Sequence, residues 1–204
     1  MEQQGYKPHQ IGLFLFHEVE VLDFAGPFEV FSIAEADPGV KGFNVHTVSA
    51  DGQMITARNG LQVQPEHSFS SLPPIDMLII PGGYGAEEIE IHKPEVLNWI
   101  KSYAAEGVQI ASVCTGAFLL TEAGLLDGLK ATTHWMDLER LERDYPAVDV
   151  QSDVKLVDQG WIITSGGISA GIHMSLHLVG RYLGTDAANT TAKRMEYDWR
   201  SNES

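Results

Sequence analysis

The most reactive side-chain type in this sequence is the thiol of its single cysteine, Cys114, which lies in the segment SVCTG at residues 112–116. An apolar run precedes the cysteine and a helix-like run follows it, which is the strand–turn–helix pattern of a nucleophile elbow with cysteine in place of serine. A thiol at such a turn faces the N-terminus of the next helix, whose partial positive charge stabilises a thiolate. A buried structural cysteine is the alternative, but the neighbouring glycine-rich turns favour a reactive thiol.

Glycine-rich turns, PGGYG and SGGIS, follow two other predicted strands. Glycine lets backbone N–H groups approach a ligand without an intervening side chain. We expect the N–H groups of Thr115, Gly82 and Gly83 to form an oxyanion hole. The turn at Gly167 and Ile168 is expected to hold the nucleophile or the developing charge as well.

Asp23 is the expected partner of the thiol. It lies between two apolar residues in the segment LDFAGP, just after the first predicted strand. If burial keeps the carboxyl protonated, it can donate a hydrogen bond to a thiolate, and if it is ionised it can act as a base. The alternative is that Asp23 caps the helix that follows.

The histidines leave more than one interpretation open. His134, in the segment TTHW, is predicted to line the pocket or to orient a group near Cys114, and a packed, hydrogen-bonded histidine is an equal alternative. His173 and His177 are four residues apart on one predicted helix, a spacing that can hold a metal ion. The sequence offers neither an HExxH glutamate nor an evident third ligand, so we predict no metal site. No other histidine has a context that singles it out.

Alternating strands and helices must position these residues. Strands are predicted at residues 11–16, 43–49, 77–80 and 108–113, with a hairpin at 154–157 and 161–164, and helices at 27–35, 94–105, 117–123, 136–144 and 172–183. This order predicts an α/β fold, a three-layer, doubly wound and mostly parallel sheet with a small β-hairpin, whose ligands bind beyond the carboxyl ends of the strands. We expect a single domain over residues 11–197 between a polar tail at 1–10 and a C-terminal tail at 198–204.

Composition and charge exclude several classes of function. The 204 residues carry 13 Lys and Arg against 28 Asp and Glu, a net charge of −15, without the basic clusters that nucleic acid or an anionic membrane requires. One cysteine allows no internal disulfide, which suits a reducing cytoplasm. The phosphate-loop and dinucleotide-binding glycine motifs are absent, which disfavours nucleotide binding, and the serine-hydrolase elbow motif is absent too, which disfavours a serine hydrolase.

Four segments read in order resemble the ThiJ/PfpI superfamily, the cysteine branch of the flavodoxin-like class I glutamine-amidotransferase fold. They are IGLFLFHEVEVLDFAGPFEVF, DMLIIPGGYGAEEI, IASVCTGAFLLTEAGLLDGLKATTHW and GWIITSGGISAGIHMSLHLVGRYLG. The motifs L-D-x-x-G-P, V-C-T-G and T-T-H-W are most similar to those of isonitrile hydratases and of the N-terminal domains of AraC-type regulators. By motif match, the functional residues of the hydratases fall on Cys114, Thr115 and Asp23.

The resemblance implies a cofactor-free cytoplasmic lyase that hydrates an isonitrile to an N-substituted formamide, and a homodimer with its site near the subunit interface. Two alternatives stay open: a glyoxalase-like or other thiol-dependent enzyme acting on small carbonyl compounds, and a non-catalytic small-molecule or redox sensor. Protease-like members have histidine where Thr115 stands, so peptidase activity is not expected. The acidic chain, which ends at Ser204, is expected not to bind DNA.

Overall fold

The computed structural model describes residues 6–200, so the ends of both predicted tails, residues 1–5 and 201–204, lie outside the described residues. The strands are β1 (His9–Phe14), β2 (Glu35–Asp37), β3 (Val40–Lys41), β4 (Phe43–Ser49), β5 (Ile55–Thr56), β6 (Gln62–Val63), β7 (His67–Ser68), β8 (Met77–Ile80), β9 (Gln109–Val113), β10 (Lys130–Ala131), β11 (Asp149–Val150), β12 (Leu156–Asp158) and β13 (Ile162–Ser165). The helices are α1 (Val21–Ile33), α2 (Tyr84–Glu88), α3 (Pro94–Ala105), α4 (Gly116–Glu122), α5 (Leu138–Asp144), α6 (Ser169–Leu183) and α7 (Thr185–Arg194). Short 3-10 turns cover Arg58–Gly60, Glu90–His92 and Trp135–Asp137.

The centre of the fold is a seven-stranded sheet with the order β12-β13-β9-β8-β1-β4-β7. Its neighbouring strands are parallel except for the antiparallel hairpin β12–β13. Helices α1, α6 and α7 contact one another, and α4 contacts both α2 and α3, so the sheet is covered by two helical layers. This confirms the predicted α/β fold. Within residues 6–200 no helix is both long and apolar enough to span a membrane.

The strands that carry the site form the most deeply buried part of the core. Every residue of β8, β9 and β13 is buried. Continuous apolar runs are what strands need when helices cover both faces of a sheet. Such runs predicted β8 with its observed bounds and the start of β9 to within one residue, and the alternation of apolar and polar residues predicted the observed bounds of β4.

Helix α1 begins at Val21, six residues before the predicted start at Pro27. Proline is favoured in the first turn of a helix, which is why the prediction began there, yet here it lies inside the helix and cannot donate to the carbonyl of Asp23. Gly26 then allows close packing on α6, since a Cβ at this position would stand 2.8 Å from Cγ1 of Ile172. As a result Asp23 lies in the first turn of α1, facing the start of α6.

Other differences concern elements with little apolar signal. Strand β1 begins at His9, inside the predicted N-terminal tail, and α6 begins at Ser169, three residues before its predicted start. Helix α7 and the small pairs β2–β3, β5–β6 and β10–β11 were not predicted. Two-residue strands leave no periodicity to detect, and α7 buries only a few small side chains.

Candidate active site

Cys114 lies between β9 and α4, at the sharp turn that the sequence predicts. Its φ of +57° places it in the left-handed region, which costs a residue with a Cβ about 1–2 kcal/mol. Neighbouring segments hold this backbone in place. The Cys114 N–H donates to the carbonyl oxygens of Ser165 and Gly166, both at 3.2 Å, and its own carbonyl accepts a bond of 2.8 Å from Oγ1 of Thr133. The elbow is therefore fixed by the end of β13 and by the segment after β10.

Asp23 is completely buried beside the thiol and joins three parts of the site. Its Oδ1 accepts the Ile168 N–H at 2.8 Å, and its Oδ2 accepts the Gly82 N–H at 3.2 Å. The carboxyl is also hydrogen-bonded to the side chain of Cys114. Asp23 therefore binds neighbouring loops instead of capping α1, whose N-cap residue is Glu20.

Burial sets the protonation of this pair. Loss of solvation raises the pKa of Asp23 to about 6, against the opposing effect of the bonds from Ile168 and Cys114. At pH 7 about nine-tenths of the Asp23 carboxyl groups are therefore ionised. The carboxyl can thus change charge near neutral pH.

The thiol of Cys114 is held in its protonated form. Burial raises its pKa well above the usual value, the negative charge of Asp23 raises it further, and the Thr115 N–H only partly offsets both effects. The prediction that the helix N-terminus stabilises a thiolate is therefore wrong for the resting site. The resting pair is a thiol that donates to a carboxylate.

Thr115 and the glycine turn after β8 hold each other in place. Oγ1 of Thr115 accepts the Gly83 N–H at 2.8 Å, while the Gly82 N–H is taken by Asp23. A Cβ on Gly82 would stand 2.5 Å from the backbone nitrogen of Thr115, so only glycine fits there. The Gly82 and Gly83 N–H groups are therefore engaged by side chains and do not point freely at a ligand, unlike the predicted oxyanion hole. The Thr115 N–H faces the sulfur.

The turn before α6 forms the other wall around the sulfur. A Cβ on Gly167 would stand 2.9 Å from Sγ of Cys114 and 2.5 Å from Cδ2 of His134, so glycine leaves the space beside the thiol open. Ile168 has a φ of +59° and is held by its bond to Asp23. Nδ1 of His134 lies 3.6 Å from Oδ2 of Asp137. The structure thus brings all the predicted site residues together.

A cavity of about 450 Å³ opens above the thiol. Its lining includes six side chains that were not predicted from the sequence: Glu20, Arg58, Tyr84, Glu87, Met136 and Asp137. Arg58 arrives on the loop between β5 and β6, pairs with Glu18 at 3.1 Å and lies over the Tyr84 ring. Closeness along the chain could have signalled four of these six side chains, since Glu20 lies near Asp23, Tyr84 follows Gly83, and Met136 and Asp137 follow His134.

The two histidines considered for a metal ion have other roles. Nε2 of His177 lies 2.7 Å from Oδ2 of Asp158, and His173 is buried near the ring of Trp199. They lie outside the cavity above Cys114.

The chain is similar in sequence to known proteins. A model of the DJ-1/PfpI family matches residues 9–181. The isonitrile hydratase of Pseudomonas putida is 36% identical over 188 residues, which are 92% of this chain and 78% of that protein. The HTH-type transcriptional regulator GbdR of Pseudomonas aeruginosa is 30% identical over 200 residues, which are 98% of this chain and 54% of the regulator. The chain therefore spans about half the length of that regulator.

A solved structure supports the same assignment. The crystal structure of a THiJ/PfpI family protein from Pseudomonas syringae is 26% identical, with a TM-score of 0.83 and coverage of 97% of this chain and 82% of that one. The relatives include an enzyme and a regulator, so the family alone does not define an activity. The family model, the relatives and the fold agree, and the chain belongs to the DJ-1/PfpI family.

Proposed function

We propose that this protein is a cysteine-dependent hydratase that converts small isonitriles into N-substituted formamides. The observation that carries the proposal is the hydrogen-bonded pair of the Cys114 thiol and the Asp23 carboxylate beneath an open cavity. The pair joins a nucleophile to a base, which is the arrangement that covalent catalysis requires. The 36% sequence identity to a known isonitrile hydratase supports isonitriles as the substrate class.

The shape around the sulfur favours an isonitrile over a carbonyl compound. Cys114 is only 7% exposed, and Gly167 leaves a narrow space between the sulfur and His134. An isonitrile carries its reactive carbon at the tip of a linear R–N≡C group, so it can reach a recessed sulfur end-on. A carbonyl carbon carries two substituents besides its oxygen and therefore needs a wider opening.

In the first step the sulfur of Cys114 bonds to the isonitrile carbon. The thiol proton passes to the carboxylate of Asp23 and from there to the same carbon, so that R–N≡C and Cys–SH give the thioimidate R–N=CH–S–Cys. Because the thiol pKa is raised, the proton must leave as the carbon–sulfur bond forms, and a carboxylate already bonded to the thiol can accept it. Asp23 ends this step ionised again.

In the second step water adds to the thioimidate carbon and Asp23 takes one of its protons. Asp23 passes this proton to the nitrogen. The carbon–sulfur bond then breaks as the added hydroxyl becomes the formyl oxygen, and the hydroxyl proton moves through Asp23 to the sulfur of Cys114 while R–NH–CHO leaves. The Thr115 N–H faces the sulfur and stabilises negative charge on it as it departs. The balance is one isonitrile and one water for one formamide.

The test is an assay of purified protein on simple alkyl isonitriles, with the formamide product measured by NMR. Wild type is expected to turn over and Cys114→Ala to lose turnover. His92→Ala, at an exposed position outside the cavity, is the matched control and should retain it. Absence of wild-type turnover, or equal turnover by Cys114→Ala, contradicts the proposal.

The same samples separate the two alternatives. Turnover of a small dicarbonyl compound without formamide formation would support the thiol-dependent carbonyl enzyme. A stable adduct on Cys114, without turnover of either substrate, would support a sensor.

We also propose a cytoplasmic homodimer. Leu22 and Phe28 of α1 are 38% and 39% exposed, and Phe28 borders a groove that Phe24, Ala25 and Val63 line. Exposed apolar patches commonly mark protein interfaces. Light scattering should report a dimer, and Phe28→Glu should shift it towards monomer. A wild-type monomer would contradict this part of the proposal.

A further inference from the structure

Three side chains whose types can ligate a metal ion lie close together at the β7 edge of the sheet, outside the cavity above Cys114. They are His46 on β4, Glu66 just before β7 and His67 on β7. One ligand atom from each lies within 4.8 Å of the others. We propose that these three residues bind a divalent transition-metal ion, with Zn²⁺ as the best fit. No metal site was predicted here from the sequence, because these side chains come together only through strand pairing.

Strand pairing explains why the histidines meet. Strands β4 and β7 are parallel neighbours, with Val48 opposite His67. Side chains alternate between the two faces along a strand, so His46 and Val48 share a face, and His67 shares it with them. The two imidazole rings lie 5.3 Å apart between centroids.

The carboxylate is held beside the rings by the backbone of β4. Oε2 of Glu66 accepts the Thr47 N–H at 3.3 Å, and the Glu66 N–H donates to Oγ1 of Thr47 at 3.0 Å. These bonds fix the residue before β7 against β4. The second oxygen of the carboxylate remains available to an ion.

A supporting hydrogen bond prepares His46 for metal binding. Its Nε2 lies 2.9 Å from Oε1 of Gln10, and the Gln10 amide nitrogen donates to the Pro8 carbonyl at 2.7 Å. The bond to Pro8 orients the amide so that its oxygen faces His46. An acceptor there keeps the proton on Nε2 and leaves the lone pair on Nδ1, as in the supporting bonds of histidine ligands to zinc.

The donor set defines the class of ion. Two imidazoles and one carboxylate suit zinc and similar divalent ions, whereas magnesium and calcium prefer oxygen ligands. Tetrahedral bonds of about 2.0–2.1 Å require donor atoms about 3.4 Å apart, which small side-chain rotations can reach from the observed spacing. The ion would join β4 to β7, a two-residue edge strand, and would stabilise the native state by mass action.

The experiment is zinc titration of the full chain without a histidine tag, by calorimetry, together with the absorption spectrum of the Co²⁺ form. Wild type should bind one equivalent, and the cobalt form should show tetrahedral bands. His67→Ala and Glu66→Gln should lose this binding. A Gln10→Leu change should weaken it about 10–100-fold, the cost of losing a supporting bond to a ligand.

Two controls keep the result interpretable. His92→Ala and Cys114→Ala should bind zinc like wild type, which shows that neither an arbitrary histidine nor the thiol holds the ion. Circular dichroism checks that each variant is folded. If His67→Ala is unfolded, the result for Glu66→Gln decides the question, because this change keeps the size of the side chain. No binding by wild type, unchanged binding by Glu66→Gln, or loss of binding in Cys114→Ala alone would overturn the proposal.

Discussion

The buried carboxyl of Asp23 predicts how the rate depends on pH. The hydratase proposal needs this group ionised, because it accepts the proton from the thiol. Its pKa of about 6 means that the ionised fraction is about nine-tenths at pH 7 and about one-tenth at pH 5. We therefore expect kcat/KM for an alkyl isonitrile to fall about tenfold between pH 7 and pH 5, with a midpoint near 6.

The raised pKa of the Cys114 thiol predicts how the rate depends on pH above neutrality. Because burial and Asp23 raise the pKa of Cys114, no thiolate accumulates between about pH 7 and pH 9, and kcat/KM should be level there. The assay measures initial rates of formamide formation across this range, with circular dichroism to exclude unfolding at the acidic end.

Asp23→Asn supplies the decisive comparison. The amide cannot accept the proton, so the rate should fall by about 10²–10⁴, the usual contribution of a general base, and the acidic limb should disappear. A wild-type rate that is level from pH 5 to pH 7 would refute the assignment of Asp23 as the base. A rate that keeps rising tenfold per pH unit above pH 7 would instead identify direct ionisation of the thiol as the controlling step.

Three further predictions follow from the same geometry. Gly167→Ala should abolish turnover, because its methyl group would stand 2.9 Å from the reactive sulfur. Gly166→Ala, whose methyl group would have its nearest contact at 3.3 Å, should retain most activity. Steady-state rates of both variants measure the difference. Thr115→Val should cost about 1–3 kcal/mol in the free energy of unfolding, since it leaves the Gly83 N–H without its acceptor, while Thr115→Ser should cost less; urea denaturation measures both. Folding raises the pKa of Asp23 from 3.8 to about 6, so its contribution to stability is full below about pH 3.8 and is lost as pH rises through 6. As pH rises through that window, the free energy of unfolding of the wild type should fall by about 3 kcal/mol relative to that of Asp23→Asn. Urea denaturation of both proteins at several pH values measures this difference, and a constant difference would contradict the prediction.

Much of the sheet was predictable from sequence because its strands are covered on both faces. The apolar runs of β8 and β9 can be recognised from composition, and β4 can be recognised from its alternation of apolar and polar residues. The start of α1 was not predictable, because Pro27 suggests a first turn and only packing of Gly26 against Ile172 shows that the helix continues through it. Helix α7 was missed because it presents few apolar side chains.

Part of the candidate site was also predictable from the sequence, and part of it was not. Cys114, Asp23 and Thr115 lie in recognisable segments after predicted strands, so their convergence was predictable. The state of the thiol was not, because it depends on how completely the fold removes water and on how close the carboxyl comes. Arg58 was also hidden, since it reaches the cavity on a loop between two-residue strands. Long-range packing, which local sequence does not record, decides these features.

The proposed chemistry depends on a bond between the sulfur of Cys114 and the substrate during turnover. Rapid mixing with an isonitrile, acid quenching and intact-protein mass spectrometry measure this directly. We predict a transient gain of one isonitrile mass on Cys114 that forms and decays at rates consistent with formamide release. Formamide production without any such adduct, or at the same rate in Cys114→Ala, would contradict the account.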